Sequence, residues 1–214
     1  LRSGSIGANF RSGSIRANDI DFEYVEQGAG PLVLLFHGFP DSPLGWRYQL
    51  PALAAAGFRA VAPVLRFYGP AALSDSRTFA TSALGLDAVA RIDAFGAERA
   101  TLVGHDWGVG AVTAAALLAP ARVERLVTIA VPYGRAMAQA LVENAAQRRR
   151  SWYMYYLAGP LGEAGLSADD FALIDELWRD WSPGYVPDPE FMRDLKARFA
   201  APGVAGAVCA LYHN

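Results

Sequence analysis

The sequence predicts an α/β protein: a mostly parallel, doubly wound sheet in the first part of the chain and helices alone in the rest. Three observations predict it. Short apolar runs alternate with helical stretches as far as residue 130. Glycines and a proline stand where those helices should end. After Pro132 no convincing strand follows.

The chain opens on a near-duplicate, Arg2–Asn9 and Arg11–Asn18, each reading Arg-Ser-Gly-Ser-Ile-x-Ala-Asn. The second copy runs directly into Ile20–Val25, so it is expected to hold the structured register. Residues 1–12 are expected to be a flexible extension or a sequence artefact. Strands are expected at Ser14–Ala17 and Ile20–Glu26, which alternate as an antiparallel edge hairpin does. Leu32–Phe36, Arg59–Ala62, Ala100–Val103 and Leu126–Ala130 are continuous apolar runs, the pattern of a sheet covered on both faces. Helices are expected at Leu44–Ala56, Phe79–Phe95 and Asp106–Ala119. Gly57 and Gly96 close the first two, and Pro120 follows the third. The core is thus expected over residues 13–132. Residues 133–214 read as a separate all-helical unit. Ser167 should cap a helix with Asp169 and Asp170 in its first turn, Asp188-Pro189-Glu190 should open another, and Ala201-Pro202-Gly203 should mark the break before the last. Arg148, Arg149 and Arg150 read as a solvated helix face and not as an anion site.

Composition narrows the function. The 214 residues are 53% hydrophobic and 19% charged, as in a globular protein rich in helix. A net charge of −2 gives no argument for nucleic acid or for an anionic membrane. Lys196 is the single lysine, a bias from which no function follows. Cys209 is the single cysteine; it permits no internal disulfide and reads as a core residue. No apolar run reaches the ~18 residues needed to span a bilayer, and no secretory h-region is present at the start. A soluble cytoplasmic protein of unknown oligomeric state is expected.

The chemistry is concentrated in Gly104-His105-Asp106-Trp107-Gly108. This segment lies between an apolar strand and an Ala-rich helix. Strand, sharp turn and helix, with small residues around one central side chain, form a nucleophile elbow. The glycines are needed because a flanking Cβ would clash with the neighbouring strand and helix. The central residue is Asp. A carboxylate attacks an alkyl carbon to give a covalent ester, which points to an epoxide or an alkyl halide as substrate. Asp is also a favoured helix cap, so a purely structural Asp106 is the competing reading. A second motif, His37-Gly38-Phe39-Pro40, ends the strand Leu32–Phe36. Its turn is expected to supply an oxyanion donor, the backbone N–H of Phe39, to pair with that of Trp107. His37 and Pro40 are expected in the pocket.

With these motifs the chain resembles the α/β-hydrolase fold, and within it the epoxide hydrolases, close kin of the haloalkane dehalogenases. The resemblance runs from about Ser14 to the end. The segments Arg150-Ser-Trp-Tyr-Met-Tyr-Tyr156 and Leu177-Trp-Arg-Asp-Trp-Ser-Pro183 resemble the helical lid of bacterial epoxide hydrolases. The resemblance implies two lid tyrosines that donate hydrogen bonds to the epoxide oxygen, and Tyr153 and Tyr212 match them; Trp152 is placed in the pocket. It implies no metal and no organic cofactor. One departure concerns Pro63-Val-Leu-Arg-Phe-Tyr-Gly69, where relatives often carry Pro-Asp-Leu-Arg-Gly-Tyr-Gly. Should the glycine serve a positive φ there, Phe67 is strained or the loop differs.

The resemblance also implies a His base and an orienting acid behind two further strands. Of the three histidines, His37, His105 and His213, none is expected to be that base. The chain is therefore expected to be an incomplete form with the last core strands missing and Leu126–Ala130 left as an apolar edge. Two rival readings stay open: a haloalkane dehalogenase using the same Asp106, with the Trp107 indole facing the halide, and a fragment without catalysis.

Overall fold

In the computed structural model, residues 10–69, 79–132 and 134–213 are described. The first copy of the duplicated segment, Arg2–Asn9, lies outside them. The chain divides into two compact units, Leu1–Val131 and Pro132–Asn214.

The first unit is a six-stranded mixed sheet: β1 Arg11–Ala17, β2 Ile20–Gln27, β3 Leu32–Phe36, β4 Arg59–Pro63, β5 Ala100–His105 and β6 Val123–Ile129, in the order β1-β2-β4-β3-β5-β6. β1 and β2 form the expected antiparallel hairpin, and β2 pairs antiparallel with β4. β4, β3, β5 and β6 run parallel. The first strand starts at Arg11, three residues before its expected start, because Arg11 to Gly13 pair with Glu26 to Tyr24. Phe10 is buried just ahead of it.

The helices of this unit are α1 Gln49–Ala55, α2 Thr81–Ala94 and α3 Trp107–Leu118. The expected helix Leu44–Ala56 is broken. Pro43–Trp46 forms a 3-10 turn capped by Ser42, and α1 begins only at Gln49. Pro51 explains the break. Its missing N–H is tolerated in the first helical turn, but in a helix from Leu44 its ring would meet the carbonyl of Arg47. Gly57 and Gly96 hold φ of 84° and 73° after α1 and α2, as helix ends require.

Alternate strand residues feed two cores. On one face Val25, Val33, Leu35, Ala60 and Ala62 pack with Trp46 and Leu50. On the other, the Arg91 guanidinium of α2 lies 3.7 Å from the centre of the Phe22 ring and 5.4 Å from that of Phe36. α2 also buries charge beside α3, with Gly85 pressed against Ala114. Arg66 forks onto Asp87 through Nε at 2.7 Å and Nη2 at 2.6 Å, and Asn18 Nδ2 donates to the same carboxylate at 2.7 Å. Arg66 and Asp87 are both buried. Arg91 donates to the Val64 carbonyl at 3.1 Å, and burial lowers its pKa to about 10.

The second unit is helical among its described residues: α4 Arg135–Glu143, α5 Ala145–Arg150, α6 Trp152–Ala158, α7 Gly162–Trp181, α8 Pro189–Phe199 and α9 Val204–Ala210. Asp188 caps α8 by accepting from the N–H groups of Glu190 and Phe191. Gly203, at φ 80°, precedes α9. The expected helix start at Ser167 is displaced. Ala168 is extended and Asp169, Asp170 and Phe171 are left-handed, so regular helix resumes only after them. Asp is one of the few residues that tolerate that conformation, and two in a row favour the turn over a first helical turn. Arg148 donates to the carbonyls of Leu141 and Val142 at the end of α4. Cys209 is buried, and its thiol pKa is pushed up to about 12, as an inert core residue requires.

Asp87→Ala would strand the buried Arg66 guanidinium. The expected cost is about 3–5 kcal/mol, because an uncompensated buried charge replaces a bidentate pair. Urea unfolding of the variant beside the parent chain measures it.

Candidate active site

Register brings the two motifs together. Phe36, the last residue of β3, pairs with Gly104 on β5, so the loops that follow leave the sheet side by side at its carboxyl edge. In open α/β sheets that edge is where ligands bind.

Asp106 stands between β5 and α3 with φ 52° and ψ −120°, a conformation L-residues rarely adopt. The space around it is made by glycines. A Cβ on Gly104 would overlap the backbone of Gly108, and one on Gly108 would overlap the Phe36 carbonyl. A Cβ on Gly38 would overlap the Asp106 carboxyl itself. The competing cap reading can be judged directly, since the Asp106 side chain makes no capping hydrogen bond to α3. Its Oδ1 accepts from the Phe39 N–H at 2.7 Å, and the Trp107 N–H also hydrogen-bonds to the carboxyl. Both expected backbone donors therefore meet on one carboxyl group. Burial raises the pKa of Asp106; the two N–H donors and then the charge of His105 oppose the rise.

His37 is fully buried. Its Nε2 accepts from the Leu65 N–H at 3.2 Å, so the proton of a neutral ring sits on Nδ1, 3.1 Å from the Gly38 carbonyl. The imidazole braces the Gly38 turn against the loop after β4, and the Tyr68 ring packs edge-on against it at 5.0 Å. Pro40 is buried behind a cis Phe39–Pro40 bond. In the same loop Phe67 has φ 74°. The position does demand a left-handed backbone, and Phe67 bears it with its ring buried 4.5 Å from that of Phe79.

In the helical unit Tyr153 and Tyr212 come together, their ring centres 5.9 Å apart at 81°. The Trp181 ring packs on Tyr153 at 4.7 Å. Trp152 is 44% exposed, its ring centre 5.8 Å from that of Tyr156. No group of three or more His, Cys, Asp or Glu side chains is arranged to hold a metal ion among the described residues. No helix among them is long and apolar enough to cross a membrane.

Residues 31–185 match the alpha/beta hydrolase fold family. The chain belongs to that family. Within it the chain is epoxide hydrolase-like. It is 33% identical over 189 residues to an epoxide hydrolase of Caballeronia sordidicola, covering 82% of this chain and 54% of that one. It is 43% identical over 133 residues to epoxide hydrolase B of Mycobacterium tuberculosis, covering 61% of this chain and 37% of that one. Among solved structures, the epoxide hydrolase of Bacillus megaterium in complex with an inhibitor superposes with a TM-score of 0.85 at 26% identity, over 94% of this chain and 71% of the other. An epoxide hydrolase from Vigna radiata gives a TM-score of 0.78 at 26% identity, over 96% and 71%. The chain thus spans about half or less of the length of these two curated relatives.

One acid escaped the sequence reading. Asp41 follows the His37–Pro40 motif directly, and its pKa is raised from 3.8 to about 7, chiefly by burial. An acid placed immediately after an oxyanion turn was the available signal. Asp41 and Asp106 both hold protons more tightly folded than unfolded. Their contribution to stability is fully present below the ordinary carboxylate pKa and is lost as pH rises through the raised values. We expect stability to fall between about pH 4 and pH 8, and Asp41→Asn to reduce that fall by on the order of 2 kcal/mol. Urea midpoints of both chains at the two pH values provide the check.

Proposed function

We propose that this chain carries the nucleophile of an epoxide hydrolase, with Asp106 as the attacking group. The observation that carries the reading is a carboxyl group drawn to the Phe39 N–H of a separate turn as well as to the adjacent Trp107 N–H. With Oδ1 held by the Phe39 N–H, Oδ2 is the oxygen that attacks an epoxide carbon in this reading. The C–O bond of the ring breaks, the ring oxygen takes a proton, and Asp106 becomes an ester. Oδ1 is then the ester carbonyl oxygen. When water attacks that carbonyl, negative charge develops on the atom already facing the Phe39 donor, with the Trp107 N–H on the same group. The clamp is built for the second half of the reaction before the first has occurred.

Tyr153 and Tyr212 take the role of donors to the ring oxygen. A phenol is protonated at neutral pH and donates to a developing alkoxide. Their edge-to-face pairing within the helical unit supports the role. The pairing also favours an epoxide over an alkyl halide, since a halide leaves without a proton. The relatives named above as epoxide hydrolases support the same substrate class.

Exposure of the chain to styrene oxide should add the mass of one epoxide, located on Asp106 by peptide mass spectrometry. Asp106→Asn should slow ester formation at least ~100-fold, because an amide is a poor nucleophile. An adduct of equal yield in that variant would overturn the reading. Tyr153→Phe combined with Tyr212→Phe should slow reaction with the epoxide while leaving an alkyl halide of similar shape much less affected. Removing one such donor from a dry site costs about 2–4 kcal/mol. Equal losses on both substrates would reduce the tyrosines to packing residues.

A further inference from the structure

Two pairs of acidic side chains on α7 have different surroundings. Asp170 and Asp175 line a cavity against α8, and both form ion pairs with Lys196, at 3.9 Å in the case of Asp170. Lys196 is the single lysine of the sequence, and its side chain is largely buried between them. Asp169 and Glu176, next to those two in the chain, line a groove against α6 instead. Neither forms an ion pair or a hydrogen bond among the described residues, and none of the residues lining the groove is basic. The chain thus supplies a cation to one acidic pair and none to the other.

The rest of the groove suits a particular kind of cation. Trp152 and Tyr156, one turn apart on α6, line it with ring planes inclined at 52°. Both are exposed. A Cβ on Gly165 would overlap the Tyr156 hydroxyl, so that ring lies against α7 because the helix carries glycine there. Ala168, Ala172 and Leu173 add apolar surface, and the groove measures about 340 Å³, within the range of small-molecule sites. The faces of aromatic rings attract cations, tryptophan most strongly. Alanine and leucine offer no acceptor to an N–H group but pack well against methyl groups. Two carboxylates favour a positive ligand and repel one that also carries an anion.

We propose that this groove of the helical unit binds the quaternary ammonium group of a small organic cation, with Trp152 and Tyr156 against its methyl groups and Asp169 and Glu176 balancing its charge. The site is built within the helical unit alone and owes nothing to the chemistry of Asp106. Binding is noncovalent, and the ligand leaves unchanged. A phosphate-bearing relative of the same cation, such as a lipid headgroup, is disfavoured by the two carboxylates.

Titration of the chain with choline, read from broadening of the choline methyl signal in proton NMR, tests the proposal. Saturable binding is expected, weakening as salt is raised. The neutral isostere dimethylbutanol, with carbon in place of nitrogen, should bind less tightly, and so should phosphocholine. Trp152→Leu, which keeps apolar bulk, should weaken choline binding about 2- to 5-fold. Asp169→Asn combined with Glu176→Gln should weaken it and flatten its salt dependence. All three side chains are exposed, and circular dichroism checks that the variants keep their helices. Absence of saturable choline binding overturns the proposal. So does equal affinity for dimethylbutanol or phosphocholine, or an affinity that neither variant changes. None of these results bears on Asp106, so the nucleophile is judged separately by its own adduct.

Discussion

The nucleophile region depends on one backbone conformation, the positive φ of Asp106. A non-glycine residue held there costs on the order of 1–3 kcal/mol, so the surroundings must over-determine it. They do so by omission. Three glycines leave the room: Gly104 and Gly108 let β5 and α3 approach β3, and Gly38 lets the neighbouring turn reach the carboxyl. The parallel pairing of Phe36 with Gly104 sets the height at which both loops leave the sheet. With the chain bent in this way, the Asp106 carboxyl meets the adjacent Trp107 N–H and, from the separate turn after β3, the Phe39 N–H.

Those donors are fixed by a second layer. The neutral imidazole of His37 links the carbonyl of Gly38 to the N–H of Leu65, so the turn after β3 and the loop after β4 are held as one piece. Arg66 of the same loop is anchored on Asp87 of α2. The route from α2 through the loops to the Phe39 N–H is continuous and buried. Displacement of any part of it would be felt as a change in the angle of a single hydrogen bond.

Much of this was legible in local sequence. The elbow and the His37–Pro40 turn announce themselves through glycine placement, because close approach and positive φ are demands that a single residue type meets. Strand positions were legible from apolar runs, though their ends were not, since pairing decides where a strand stops. Pro51 is what divides the expected helix over Leu44–Ala56, and the turn at Asp169–Asp170 reads as a helix start because acidic residues suit both a helix start and a left-handed bend. The meeting of Tyr153 and Tyr212 was suggested by family resemblance and not by spacing. Asp41 is marked in the sequence only by its place after the His37–Pro40 turn, and the Asn18–Asp87–Arg66 cluster not at all, because burial and charge proximity are properties of the folded chain and leave no periodic trace.

Phe67 shows how a fold absorbs a substitution that backbone rules discourage. Its left-handed conformation costs on the order of 1–2 kcal/mol, while full burial of a phenyl ring returns about 1.5–3 kcal/mol. The ring is buried and stacked near Phe79, so the two terms at least cancel. A glycine at this position would be free to turn its peptide over. The aromatic anchor removes that freedom, and the loop beside His37 trades pliancy for a single fixed shape.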